Sequence, residues 1–117
     1  MNPDFKPVFA RLRAILQKHA GSLTVTADTP DHYSLHLDFS PKFNKGFSVA
    51  WVKISKAYVS YHFMPVYALP QLLDDKSAQL KRRMQGKSCF NFKAIDEPLF
   101  KELEQLTAEG FAASSFK

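Results

Sequence analysis

Residues 47–64, FSVAWVKISKAYVSYHFM, decide how this chain folds. Two apolar runs, 47–54 and 57–64, flank a short Ser55-Lys56 turn, which is the pattern of a β-hairpin. Both runs are apolar on more than one face, so the hairpin is expected to be central in its sheet, or to have its second face covered.

Reading outward, the neighbours are strands too. Leu23, Val25 and Ala27 alternate with Thr24, Thr26 and Asp28. Tyr33, Leu35, Leu37 and Phe39 alternate with Ser34, His36, Asp38 and Ser40. A period of two means half-buried strands, and DTPD between them is a turn. SPKFNKG is a longer polar connection to the central hairpin. On the other side, Pro65 and Pro70 bracket VYAL and stop the sheet, and Pro70 opens a short helical turn through Leu72 and Leu73. Ser77 caps a short helix, AQLKRRMQ, closed by Gly86. KSCFNFK is a last strand, with Phe90 and Phe92 on one face and Cys89, Asn91 and Lys93 on the other.

Helices stand at both ends. Val8, Leu12, Ile15, Leu16 and His19 recur at helical spacing, with Phe5 and Phe9 on the same side. Asp4 is its cap, Pro7 sits in its first turn and Gly21 ends it. The opposite face carries Lys6, Arg13 and Gln17, flanked by Arg11 and Lys18, and is basic. The final helix starts at Asp96 and Pro98, has Leu99, Leu103 and Leu106 as its apolar stripe, and ends or bends at Gly110. The order helix, four strands, helix, strand, helix predicts an α+β two-layer sandwich. Its mainly antiparallel sheet has about five strands, with the N- and C-terminal helices on one face. No linker divides the chain, so residues 1–117 read as one domain.

Composition agrees with a packed core. Hydrophobic residues make up 45% of 117, and eleven are phenylalanine, so a pocket lined by rings is easy to build. The net charge of +5 favours anionic partners without identifying nucleic acid. A lone cysteine, Cys89, excludes an internal disulfide and any zinc site built on paired cysteines. No apolar run approaches the ~20 residues of a membrane span. The start, MNPDFKPVF, lacks a charged segment followed by an apolar stretch, so neither a signal peptide nor a membrane is expected. The expected location is a reducing cytoplasm.

Three stretches together, YVSYHFMPVY, MQGKSCFNFK and DEPLFKELEQL, resemble the YdhG-like domains of unknown function. In that family a hydrophobic strand ends in proline. A helix follows, then a GKGT-aromatic-x-F strand, an acid-Pro-Leu element and a closing helix. Lys87, Ser88, Phe90 and Phe92 stand in that strand here, and Pro98 with Leu99 in the acid-Pro-Leu element. The resemblance covers residues 57–110 and implies a frataxin-like fold, in a family where some members are regarded as iron chaperones. Frataxin-type iron handling uses an acidic ridge on the first helix and strand. Here that helix has Asp4 at its start and then Lys6, Arg11, Arg13 and Lys18, a face that repels Fe²⁺.

Four groups of residues carry possible chemistry. Tyr58, Tyr61, His62 and Tyr67 combine apolar bodies with polar tips, the make-up of a binding surface; the competing reading is a sheet face covered by another segment. Lys81, Arg82, Arg83 and Lys87 contain no acid among them. Cations at a helix end complement its dipole, but if Lys81, Lys87 and Lys93 converge, with Ser88 and Asn91 as hydrogen-bond donors, a phosphate or carboxylate can dock. In the first hairpin, Asp28, Asp31, His32, His36 and Asp38 offer nitrogen and oxygen ligands, with His36 and Asp38 on one strand face, or are simply turn and wet-face residues. Cys89 reads as a small strand residue. As a nucleophile it needs His62 as base on a neighbouring strand. No Ser-His-Asp order, P-loop, GxGxxG or HExxH is present.

The sequence therefore points to a non-enzymatic binding domain without a cofactor, for a small anionic ligand or a protein partner. Its site would comprise Tyr58, Tyr61, His62, Tyr67, Lys81, Lys87, Ser88, Asn91 and Lys93. The alternatives are iron or other metal handling through His36 and Asp38, and an enzyme using Cys89 or His62.

Overall fold

The computed structural model describes residues 4–19, 21, 23–40 and 45–113, with side chains except at 38–40, 45–47 and 113. Helix α1 (Lys6–Lys18) leads into strands β1 (Thr24–Thr29), β2 (His32–Ser40), β3 (Lys45–Ile54) and β4 (Val59–Phe63). A short helix α2 (Met64–Ala68) and a 3-10 turn (Pro70–Leu73) follow, then helix α3 (Ala78–Lys81), strands β5 (Met84–Gln85) and β6 (Cys89–Phe92), and helix α4 (Glu97–Ala113). The fold is α+β. A six-stranded sheet of order β1-β2-β3-β4-β6-β5, antiparallel throughout, is covered on one face by the two terminal helices.

The expected hairpin is β3–β4, and it is central. Its two-faced apolar pattern also has a local cause. Leu35 pairs Ala50 while His36 pairs Ser48, so Val49 is a bulge residue, and Val49 and Ala50 are both buried. Beyond the bulge, the period of two sorts side chains into rows. Tyr33, Val52, Tyr61, Phe90 and Met84 are in register across five strands and face the helices. The next row, Ser34, Trp51, His62, Cys89 and Gln85, faces away from them.

The spacing predicts a helix over 78–85, but the helix stops at Lys81 and Met84–Gln85 becomes the sixth strand. Arg83 accepts the Asn91 N–H at 2.8 Å, and Gly86, at φ +79°, turns the chain back into β6. Register is the physical reason. As a strand, Met84 lies opposite Phe90 on the core face, and Gln85 extends the polar row. A two-residue edge strand also leaves little unpaired backbone.

The core lies between the sheet and α1 with α4. From α1 come Val8, Phe9, Leu12, Ile15 and Leu16; from α4 come Leu99, Leu103, Leu106 and Phe111. Each such side chain contributes about 1.5–3 kcal/mol by burial. The phenylalanines pair edge to face, Phe92 on Phe100 at 5.1 Å and Phe63 on Phe111 at 5.4 Å. Asp4 accepts the Lys6 N–H at the start of α1, as its position predicts. The 70–81 segment is clamped to α4. Lys76, its side chain 2% exposed, donates to Asp75 and Glu109 at 2.8 Å. Ser77 donates both its N–H and its hydroxyl to Glu102. Among the described residues no helix is long and apolar enough to cross a membrane.

Candidate ligand-binding site

The residues proposed for one surface do not share one. Tyr61 is fully buried, so it belongs to the core and lines no surface. Its position explains this, because 59, 61 and 63 are the inward residues of β4. The Thr107 hydroxyl donates to the Leu103 carbonyl, so the Tyr61 hydroxyl donates to Thr107 at 2.5 Å. Burial pushes its phenol far above the usual range. Tyr58 and His62 belong to the open sheet face. Tyr67, 57% exposed, stands on α2.

The open face carries a row of rings and hydrogen-bonding groups. Trp51 stacks on His62 at 5.1 Å and 15°, and His32 meets the Trp51 edge at 6.4 Å. His62 lies opposite Cys89, and its Nδ1 is 3.4 Å from Cys89 Sγ and 3.2 Å from Ser88 Oγ. The strands of His62 and Cys89 are thus neighbours, as the nucleophile reading requires. The electrostatics run the other way. Burial raises the Cys89 thiol, partly offset by the Ser88 hydroxyl, and burial lowers the His62 imidazole. Both shifts favour a neutral thiol beside a neutral imidazole, not a thiolate–imidazolium pair. Ser60 donates to Asn91, and Asn91 and Tyr58 donate to Gln85 Oε1 at 2.8 and 3.4 Å. Ser88 and Asn91 are therefore engaged in hydrogen bonds of this face.

The two basic stretches differ in what they face. On α1, Arg11 pairs with Glu97, Arg13 with Asp28 at 2.6 Å and Lys18 with Glu104 at 2.5 Å. Arg13 also lies over the Tyr33 ring and Arg11 over Phe100. The basic face read from α1 is thus largely neutralised by its neighbours. Lys81, Arg82, Arg83, Lys87 and Lys93 are all exposed, and among the described residues no carboxylate lies within ion-pair distance of any of them, although Asp75, held low chiefly by Lys76, also feels Lys81. This stretch is thus a cluster of five exposed cations.

Lys87 also borders a concavity of about 320 Å³ lined by Val66, Tyr67, Pro70, Leu73, Met84 and Lys87. Val66, 1% exposed, is its floor. Leu73 and Met84 are half-buried walls, and Tyr67, Pro70 and Lys87 form an exposed rim. Lys87 is the one charged residue in that lining. The groove between α1 and α4 also holds cations, Arg11, Lys18 and Lys101, but Glu104 shares its lining. A third depression is edged by Asp74, Asp75 and Glu109 and is acidic.

For a metal, His36 is half-buried on β2, and the side chain of Asp38 lies outside the described residues. Among the described residues no three His, Cys, Asp or Glu side chains gather as a metal site would require. Trp51, Val66, Leu73 and Met84 were not singled out by the sequence as site residues. Alternation about Val52 could have placed Trp51 on the open face. The concavity depends on how α2 and the 3-10 turn settle over β5, which no local pattern encodes.

The architecture and this concavity define a small α+β domain with an apolar recess rimmed by a single cation. Set against protein-family models, curated proteins and solved structures, the chain matches none.

Proposed function

We propose that the chain is a non-enzymatic binding domain for a small anionic ligand, held at the Lys87 end of the sheet. The observation that carries this is the uneven pairing of charge. The α1 cations Arg11, Arg13 and Lys18 and the buried Lys76 each have a carboxylate, while Lys87 meets only an apolar recess. An ammonium beside apolar walls gains most from an anion that brings its own apolar surface. Lys81, Arg82, Arg83 and Lys93 add long-range attraction, which speeds encounter more than it deepens affinity. Kinship with YdhG-like domains is proposed on Lys87, Ser88, Phe90, Phe92, Pro98 and Leu99. A reducing, cytoplasmic setting suits the unpaired Cys89.

Benzoate is a suitable probe, followed by amide NMR. Shifts are expected at Tyr67, Met84 and Lys87, weakened by salt and by Lys87→Glu, the latter by roughly tenfold. Binding that ignores both salt and Lys87→Glu sinks the proposal.

A further inference from the structure

Resting on the reading that Lys87 holds an anion, we infer that the ligand is a monocarboxylate with an apolar body of about six to eight carbons, rather than a phosphate compound. Three observations lead there. The first is charge count. One ammonium lines the recess, and the other polar side chain in its lining is the neutral Tyr67 phenol at the rim, which can donate one hydrogen bond. A singly charged carboxylate is balanced by Lys87, whereas a phosphate dianion would leave charge uncompensated against apolar walls.

The second is the scarcity of donors. Phosphate sites rely on bidentate arginine or on clustered backbone N–H groups. Pro70 in the wall has no N–H, and the N–H of Leu69 beside it is spent on the Pro65 carbonyl at 2.8 Å. The N–H of Leu72 is likewise spent, on the Leu69 carbonyl at 3.0 Å.

The third is size and polarity gradient. About 320 Å³ holds around ten non-hydrogen atoms at the roughly 30 Å³ that a water-sized group occupies in a liquid. Octanoate and phenylacetate each have that many. The recess grades from the buried Val66 to the exposed Tyr67 and Lys87, so the tail enters first and the carboxylate stays at the rim. Met84, unbranched and adaptable, forms the wall that fits tails of different shape.

The test is a series of NMR titrations of the intact chain with butyrate, hexanoate, octanoate, octan-1-ol and inorganic phosphate, read at Met84 and Tyr67. The expected result is that affinity rises about fourfold per buried methylene along the carboxylate series. Octan-1-ol then binds more weakly than octanoate. If phosphate and butyrate bind as well as octanoate, the anion reading stands and the monocarboxylate inference is overturned. If octan-1-ol matches octanoate, the recess is merely apolar and the anion reading itself fails. If none of the probes shifts Met84 or Tyr67, both are overturned.

Discussion

Trp51 lies flat against His62, their ring centroids 5.1 Å apart, on the sheet face that the helices leave uncovered. Trp51 is the chain's single tryptophan, so its emission reports on that imidazole. An imidazolium in contact with indole quenches it. Burial lowers the His62 pKa, so the fluorescence titration should have its midpoint below the ordinary histidine value of 6.5. The same shift has a sign for stability. The unfolded chain takes up this proton more readily, so the contribution of His62 is complete above pH 6.5 and declines as the pH falls from there. In a His32→Gln background, which removes the other imidazole against Trp51, His62→Gln should abolish the optical titration. A midpoint above 6.5 would mean that a partner charge, and not burial, governs the ring.

Cys89 should be slow to alkylate. Burial raises its thiol pKa, and the Ser88 hydroxyl offsets only part of this. The rate with iodoacetamide should climb through an inflection above that of an unstructured thiol and should reach the ordinary value in denaturant. Fast alkylation at neutral pH in the folded state would restore the nucleophile reading.

At Gly110, α4 lies tight against the end of β4 and the start of α2. A Cβ built there would lie 2.6 Å from Phe63 Cε2 and 3.1 Å from Pro65 Cβ. Phe63 is fully buried and its ring packs against Phe111, so it cannot swing away. Gly110→Ala should cost about 1–3 kcal/mol by overpacking, despite the better helix propensity of alanine. Urea denaturation measures this, and a stabilised variant would show that α4 shifts freely along the sheet.

Lys76 and Lys87 should differ sharply toward a lysine reagent. Burial alone would lower the Lys76 pKa, but its hydrogen bonds to Asp75 and Glu109 outweigh that and raise it. The amine is thus both covered and held protonated. Limited acetylation followed by mass spectrometry should leave Lys76 unmodified while the exposed, unpaired Lys87 reacts. Equal labelling would mean that the 70–77 segment opens readily from α4.

Much of this fold is written in local pattern. Alternation in 32–37 and 59–63 set strands and faces, and the leucines of the final helix set its buried stripe, because period alone fixes which side chains share a face. Met84 and Gln85 escaped because two residues carry no period, and a helix cap at Ser77 made the longer helix look complete. The central position of the 47–64 hairpin was legible, but the bulge at Val49 was not, since it depends on cross-strand register. The candidate site was legible only in pieces. Lys87 and Tyr67 were named on charge and ring chemistry, and so was Tyr61, which β4 turns inward. That the α1 cations are paired and the Lys81–Lys93 cations are not depends on contacts such as Arg11 with Glu97, far apart in sequence.

The most direct measurement is a calorimetric titration of octanoate into the wild-type chain and Lys87→Met, side by side at low ionic strength. Methionine keeps the apolar stem and removes only the charge. The variant should bind about two- to fivefold more weakly, as loss of one exposed ion pair implies, with the salt dependence of the wild type largely gone. Equal affinity and equal salt dependence in the two proteins would contradict it.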